Sequence, residues 1–374
     1  MSGRIYLDFN ATAPLRAEAL DAVTAAMGEV GNASSVHGFG RAARARVERA
    51  RRQVAALVGA APGSVIFTSG GTEANNQALR AEARPRAFAA AIEHESVLAA
   101  REDAVPLPVL PDGRADLSAL ERMLAADDAP AVVSLMLANN ETGVIQPVAE
   151  AAAIAHRAGA LLHCDAVQGA GKVPVDIAAL GADLVSLSAH KIGGPQGVGA
   201  LIAREGLAPA RFVHGGGQER GMRAGTENVA GIAGFGAAAE AAAAELDRFA
   251  ALAPLRDAML RRLRDAVPDL VVFGEGAPRL PNTAKFAAPG LAAETQVMGM
   301  DLEGIAISAG SACSAGKVSV PYVLTAMGVD EALARCAVRV SLGWTTTEAD
   351  IDAFVAEWTA LWRRAGAGEA RAAG

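Results

Sequence analysis

Between Ser64 and Ala203 the chain repeats one pattern: a short apolar run, a turn of small or polar residues, then a stretch with helical spacing. The runs fall at 65–68, 87–92, 105–109, 132–137, 161–164, 185–187 and 198–203. Each is short, aliphatic and often β-branched, as buried strands are, and helices fit between several of them, for example at 117–126 and 148–158. Strands separated by helices pair in parallel, and a parallel sheet must be covered by helices on both faces. Ligands of such sheets sit beyond the carboxyl ends of the strands, so the residues that end each run matter most.

On either side the spacing changes. Leu20, Val23 and Met27 are spaced for one face of a helix after Pro14, and a basic helix follows at 41–57 with six arginines. In an acidic chain without interleaved aromatics, those arginines read as a solvated helix face. A long helical region spans 227–266, with a break expected near Pro254. Beyond it, strands at 270–273, 284–287, 305–308 and 337–342 precede a last helix at 348–364. The expected fold is α/β: a large domain over 14–247 built on a mostly parallel seven-stranded sheet. A smaller α+β domain, 248–374, is joined by 1–13.

A chain of 374 residues has room for two such cores. Its net charge of −7 gives no reason to expect a nucleic-acid partner. Three cysteines without a CxxC pair point to a reducing compartment. With no apolar leader and no membrane-length apolar run, the expected location is cytoplasmic, away from the membrane.

The strand ends carry the chemistry. The run at 184–187 stops at Ser188-Ala189-His190-Lys191, before a turn rich in Gly193, Gly194 and Gly197. A lysine at a buried strand end either snorkels into water or, desolvated, becomes a nucleophile. Gly70-Gly71-Thr72 links a strand to a helix, where free N–H groups can face a phosphate or the glycines can simply allow packing. Asp165 ends another strand, as an N-cap or as the partner of a protonated ring nitrogen. Asn139-Asn140-Glu141-Thr142-Gly143 offers turn chemistry or ligand donors, and His94, taken alone, is a structural histidine. Arg339 lies inside a strand pattern, as edge solvation or as a carboxylate clamp. Cys313 sits among ten small residues, 307–316, that could bury little of it, which marks a reactive thiol; Cys164 and Cys336 have apolar surroundings and read as structural. No metal-ligand spacing is present.

Taken together and in order, these stretches resemble the cysteine desulfurases of the NifS/IscS type, fold-type I pyridoxal-phosphate enzymes, over nearly the whole chain. The resemblance is carried by Tyr6-Leu7-Asp8-Phe9-Asn10-Ala11-Thr12, Thr68-Ser69-Gly70-Gly71-Thr72-Glu73-Ala74-Asn75-Asn76, His163-Cys164-Asp165-Ala166-Val167-Gln168, Ser188-Ala189-His190-Lys191 and Ser311-Ala312-Cys313-Ser314-Ala315-Gly316. The length of the cysteine loop and the stretch Gln218-Glu219-Arg220-Gly221 resemble the NifS-like branch most. Gly71 stands where members often carry Ala, and Ala33 where Pro is common.

The resemblance implies pyridoxal 5'-phosphate as cofactor and L-cysteine as substrate, converted to L-alanine. It makes Lys191 the covalent anchor and proton shuttle, and Cys313 the thiol that receives sulfur as a persulfide and could touch an iron–sulfur cluster in passing. Asp165 would pair with the ring nitrogen, and His94 would stack on the ring. Gln168 and Asn140 would bond near the phenolic oxygen. Gly71, Thr72, Ser188 and His190 would hold the phosphate, with Thr226 from the second subunit of a homodimer. Arg339 would clamp the substrate carboxylate with Asn32 nearby. The implied partner is an iron–sulfur scaffold or another sulfur acceptor. Competing expectations are a selenocysteine lyase or small-amino-acid aminotransferase of the same fold, and a dimeric scaffold without chemistry.

Overall fold

The computed structural model describes residues 4–80, 84–310 and 321–372, with side chains described to residue 365. Strand β1 (Ile5–Tyr6) comes first, and the large sheet follows with β2 (Val65–Thr68), β3 (Arg86–Ala90), β4 (Val105–Leu107), β5 (Ala131–Ser134), β6 (Leu161–Asp165), β7 (Leu184–Ser188) and β8 (Gly199–Ala203). Its order is β2-β8-β7-β6-β5-β3-β4, and all neighbours are parallel except those of β8, which runs against both β7 and β2. Because β8 alone is reversed, β2, β3, β5, β6 and β7 all end on one edge. Strands β5, β6, β7 and β8 are buried along their whole length, as continuous aliphatic runs require in a sheet covered on both faces.

The remaining strands are β9 (Val271–Val272), β10 (Thr283–Ala287), β11 (Ile305–Ala306) and β12 (Ala337–Ser341). Antiparallel pairing gives the order β12-β10-β9, while β1 pairs in parallel with β11. A hydrophobic cluster of its own, including Leu7, Phe286, Met300, Val340, Phe354 and Trp358, underlies this part, separate from the cluster around the large sheet.

Three details depart from the sequence reading. The region from 227 to 266 forms helices Val229–Ala244, Leu246–Ala250 and Leu252–Ala266, broken at Glu245 and Ala251 and not at Pro254. Pro254 lies in the first turn of the third helix, where its missing N–H would have had no partner. In helix Ala17–Met27 the buried side is Ala19 and Ala26, packed on helix Val229–Ala244, whereas Leu20 and Met27 face outward. Arg51 is not solvated: it is buried, with Nη1 and Nη2 on the Glu219 carboxylate at 2.8 and 2.9 Å. The sequence distance to that partner hid it.

The reversed strand also explains one glycine. A Cβ on Gly199 would lie 2.6 Å from the Gly70 carbonyl carbon and 2.6 Å from the Leu187 oxygen, so only glycine lets β8 pass under the turn at 69–71. Gly199→Ala is expected to cost about 1–3 kcal/mol by overpacking. A urea midpoint unchanged from wild type would contradict this.

Candidate active site

The five strand ends open into one cavity of about 480 Å³, within the ~300–1,000 Å³ usual for small-molecule sites. Asp165, the last residue of β6, accepts a hydrogen bond at Oδ2 from Asn75 Nδ2 (2.8 Å) and at Oδ1 from the Val167 N–H (3.0 Å). Asn75 lies in helix Gly71–Arg80, which starts directly after the β2 turn. Its second N–H goes to Ser96 Oγ at 2.9 Å. Ser96 therefore has its hydroxyl proton left for His94 Nδ1, 2.8 Å away, and its own N–H donates to the same nitrogen at 3.1 Å. Two donors on Nδ1 place the proton of the neutral imidazole on Nε2.

Lys191 follows β7 in a single 3₁₀ turn. Its amine donates to the carbonyls of Asn10 (2.6 Å) and Ala11 (2.8 Å). Burial, reinforced by the charge of Arg339, lowers its pKa from 10.5 to about 8, against the pull of Asp8 and Asp165. At pH 7 roughly one such amine in ten is neutral, against fewer than about one in a thousand for a solvated lysine. Burial, with Lys191 adding, also lowers His190 to about 4, so this ring meets the cavity uncharged. Arg339, on β12, spends Nη2 on Asp8 Oδ1 (2.6 Å) and Nη1 on the Asn140 carbonyl (3.0 Å). Its Nε is buried without a partner, as is Asn140 Oδ1.

The cavity thus gathers Gly71, Thr72, His94, Asn140, Asp165, Gln168, Ser188, His190, Lys191 and Arg339. It does not gather Asn32 or Thr226, which are both exposed; Asn32 Oδ1 accepts from the Ser34 N–H instead. Cys313 lies outside the described residues, and Gly310, the last described residue before it, is on the cavity wall. Cys164 and Cys336 are both buried, and burial pushes the Cys164 thiol well up.

Two site residues went unassigned in the sequence reading. Asn75 had a signal: two adjacent asparagines one turn into a helix are poor helix formers and need another reason to be there. Asn10 stands in an opening segment with no periodicity to mark it, and only the assembled structure brings it to Lys191.

The family model for class-V aminotransferases matches residues 5–354. The chain belongs to the class-V aminotransferases. Within this family it is similar to the cysteine desulfurases. The IscS-like cysteine desulfurase of Mycobacterium tuberculosis is 41% identical, with 93% of each chain covered. A cysteine desulfurase of Cereibacter sphaeroides is 44% identical over 93% of each chain. Among solved structures, a NifS-like protein from Rickettsia africae superimposes with a TM-score of 0.90 at 36% identity, covering 96% of this chain and 99% of that one.

The cofactor of this aminotransferase family is pyridoxal phosphate, and the residues present fit it. A hollow continuous with the cavity is lined by Gly71, Thr72, Ser188 and His190, at the N-terminus of helix Gly71–Arg80, as a phosphate requires. Asp165 lies outside that hollow but on the main cavity, where a ring nitrogen can meet it. Gly71 also closes the wall tightly: a Cβ there would come within 2.9 Å of Val167 Cγ2, so alanine at 71 would press on Val167 in this chain.

The lowered pKa of Lys191 has a readable sign. Between about pH 8 and 10.5 the unfolded chain holds this proton and the folded one does not, so the group favours folding increasingly as pH rises through that interval. In the cofactor-free protein, acylation of Lys191 by an amine-directed reagent should titrate with a midpoint near 8. A midpoint above 10 would show a solvated amine.

Proposed function

We propose that this aminotransferase-family protein is a pyridoxal-phosphate-dependent cysteine desulfurase. It takes the sulfur of L-cysteine onto Cys313 as a persulfide and releases L-alanine. The observation that carries the reading is Lys191, an amine of lowered pKa facing the same cavity as Asp165, His94 and Arg339. The likeness to named cysteine desulfurases over 93% of the chain supports it further.

When bound, pyridoxal phosphate supplies an electron sink for the charge left at the substrate's Cα. Lys191 would hold that group and, as an amine of lowered pKa, would move the substrate's Cα proton. Asp165, fixed by Asn75, keeps a proton on the ring nitrogen through its negative charge. Gly71, Thr72, Ser188 and His190 hold the phosphate with neutral donors. His94, whose Nε2 carries the proton, covers the ring. Arg339 would receive the substrate carboxylate: among the described residues only two of its five N–H groups are spent, on Asp8 and the Asn140 carbonyl. Cys313, as thiolate, would attack the substrate sulfur: a sulfur–sulfur bond forms as the carbon–sulfur bond breaks, the pair of that bond stays with the substrate carbon skeleton, and Cβ takes up a proton to become the methyl group of alanine.

The working form we propose is a homodimer in which Thr226 reaches the partner's phosphate site. Thr226 is exposed, and Leu20, Met27, Val30, Val36 and Phe39 are large apolar side chains left facing outward, which supports a covered surface. An iron–sulfur scaffold or another sulfur-acceptor protein would take the persulfide sulfur.

The test is mass spectrometry of the holoenzyme after L-cysteine without reductant. One added sulfur on Cys313, absent from Cys313→Ser, is expected, together with L-alanine in equal amount. Alanine and sulfur release that survive Cys313→Ser would instead fit a lyase that needs no thiol. Arg339→Leu should raise KM for L-cysteine roughly a hundredfold, as loss of a charged hydrogen-bonded clamp does, with a smaller effect on kcat. An unchanged KM would remove Arg339 from substrate binding.

A further inference from the structure

Lys172 is buried, in the turn that follows Gln168, and the mechanism above gives it no task. Its amine donates to Asn10 Oδ1 at 2.8 Å and to Gln168 Oε1 at 2.6 Å. Both partners are neutral amide oxygens, and among the described residues no carboxylate pairs with it. A buried lysine without a counter-ion is costly, so its presence calls for a reason beyond packing. Burial, with the charges of Lys191 and Arg339 adding, drives its pKa well down.

An amide has two ends that differ only in hydrogen bonding, and a lysine can only donate to one of them. With Oε1 taken by Lys172, Gln168 must turn Nε2 to the Asn10 carbonyl, where it donates at 2.8 Å. Flipping the amide would set N–H against the lysine and oxygen against a carbonyl. The locked orientation leaves the second N–H of Gln168, a residue of the cavity wall, as a donor for a ligand oxygen. The same lysine fixes the side chain of Asn10, whose carbonyl accepts from Lys191.

We infer that Lys172 is a positioning residue that holds the Gln168 amide with its N–H edge toward the cofactor cavity. Lys172 itself does not touch the ligand. The inference rests on the reading of this cavity as the pyridoxal-phosphate site.

The test is a double-mutant cycle between Lys172 and Gln168, read as the dissociation constant for pyridoxal phosphate titrated into the cofactor-free protein. The pH midpoint of the bound cofactor's visible absorption is the second readout. Lys172→Met should weaken pyridoxal phosphate roughly tenfold, the size of one lost buried hydrogen-bond partner, and move the absorption midpoint. In the Gln168→Ala background the same change should cost less than about twofold, because there is no amide left to orient. Lys172→Gln, which keeps one donor, should recover part of the affinity and takes the place of Lys172→Met in the cycle if the methionine variant does not fold. Equal losses in both backgrounds, or an unmoved midpoint with loss only of thermal stability, would overturn the inference and leave the cofactor site standing. Failure of the wild-type protein to bind pyridoxal phosphate would overturn both.

Discussion

Asn10 is the contact on which the site's assembly depends. Its side chain donates to the Asn140 carbonyl and to Thr283 Oγ1, and accepts from Asn282 and Lys172. Its carbonyl accepts from Gln168 and Lys191, and its N–H donates to Ser341 Oγ. One asparagine therefore joins the opening segment, the strand ends of the large sheet and two strands of the small one. All of these groups are buried or nearly so, so each would be costly left unpaired, and together they allow one relative placement of the pieces around the cavity.

Around that junction the charges are sorted. Behind Asp165 lies Glu93, fully buried, whose Oε1 accepts from the Met136 N–H at 2.6 Å. Burial, and the neighbouring charge of Asp165, push its carboxyl well above the usual carboxylate range. His163, bonded to Ser134 and Ser186, is lowered to about 4 by burial and is uncharged. The charge of Asp165 opposes loss of a proton at Glu93, His163 and Lys191 alike, so the end of β6 acts on every one of these neighbours.

How much of this was legible in the sequence follows from physics. The inner strands of the large sheet were readable because buried strands are apolar along their length; Asp165, His94 and Lys191 stood at strand ends with a structural reading open for each, and the family resemblance assigned their roles. What the sequence did not disclose were partnerships made across long separations. Arg51 looked solvated because Glu219 is 168 residues away. The outward face of helix Ala17–Met27 looked like core because spacing marks an apolar face without saying what lies against it. Asn75 and Lys172 act through other side chains; the paired asparagines at 75 and 76 were a local mark for the first, and nothing local marks the second.

The parallel pairing of β1 with β11, Ile5 opposite Ile305, and the ion pair of Asp8 with Arg339 that lies beyond it both close across most of the chain, the second over 331 residues of sequence. During synthesis at about 5–20 residues per second, roughly 15 to 70 seconds separate the emergence of these two partners. Throughout that interval the large sheet can form and Asn10 can meet Gln168, Lys172 and Lys191, but Asp8 has no arginine to pair with and the cavity lacks the wall that Arg339 completes. The nascent chain therefore passes through a stage in which the strand ends of the large sheet are in place and the opposite wall of the cavity is not. The wall that carries Arg339 is the last part of the site to be built.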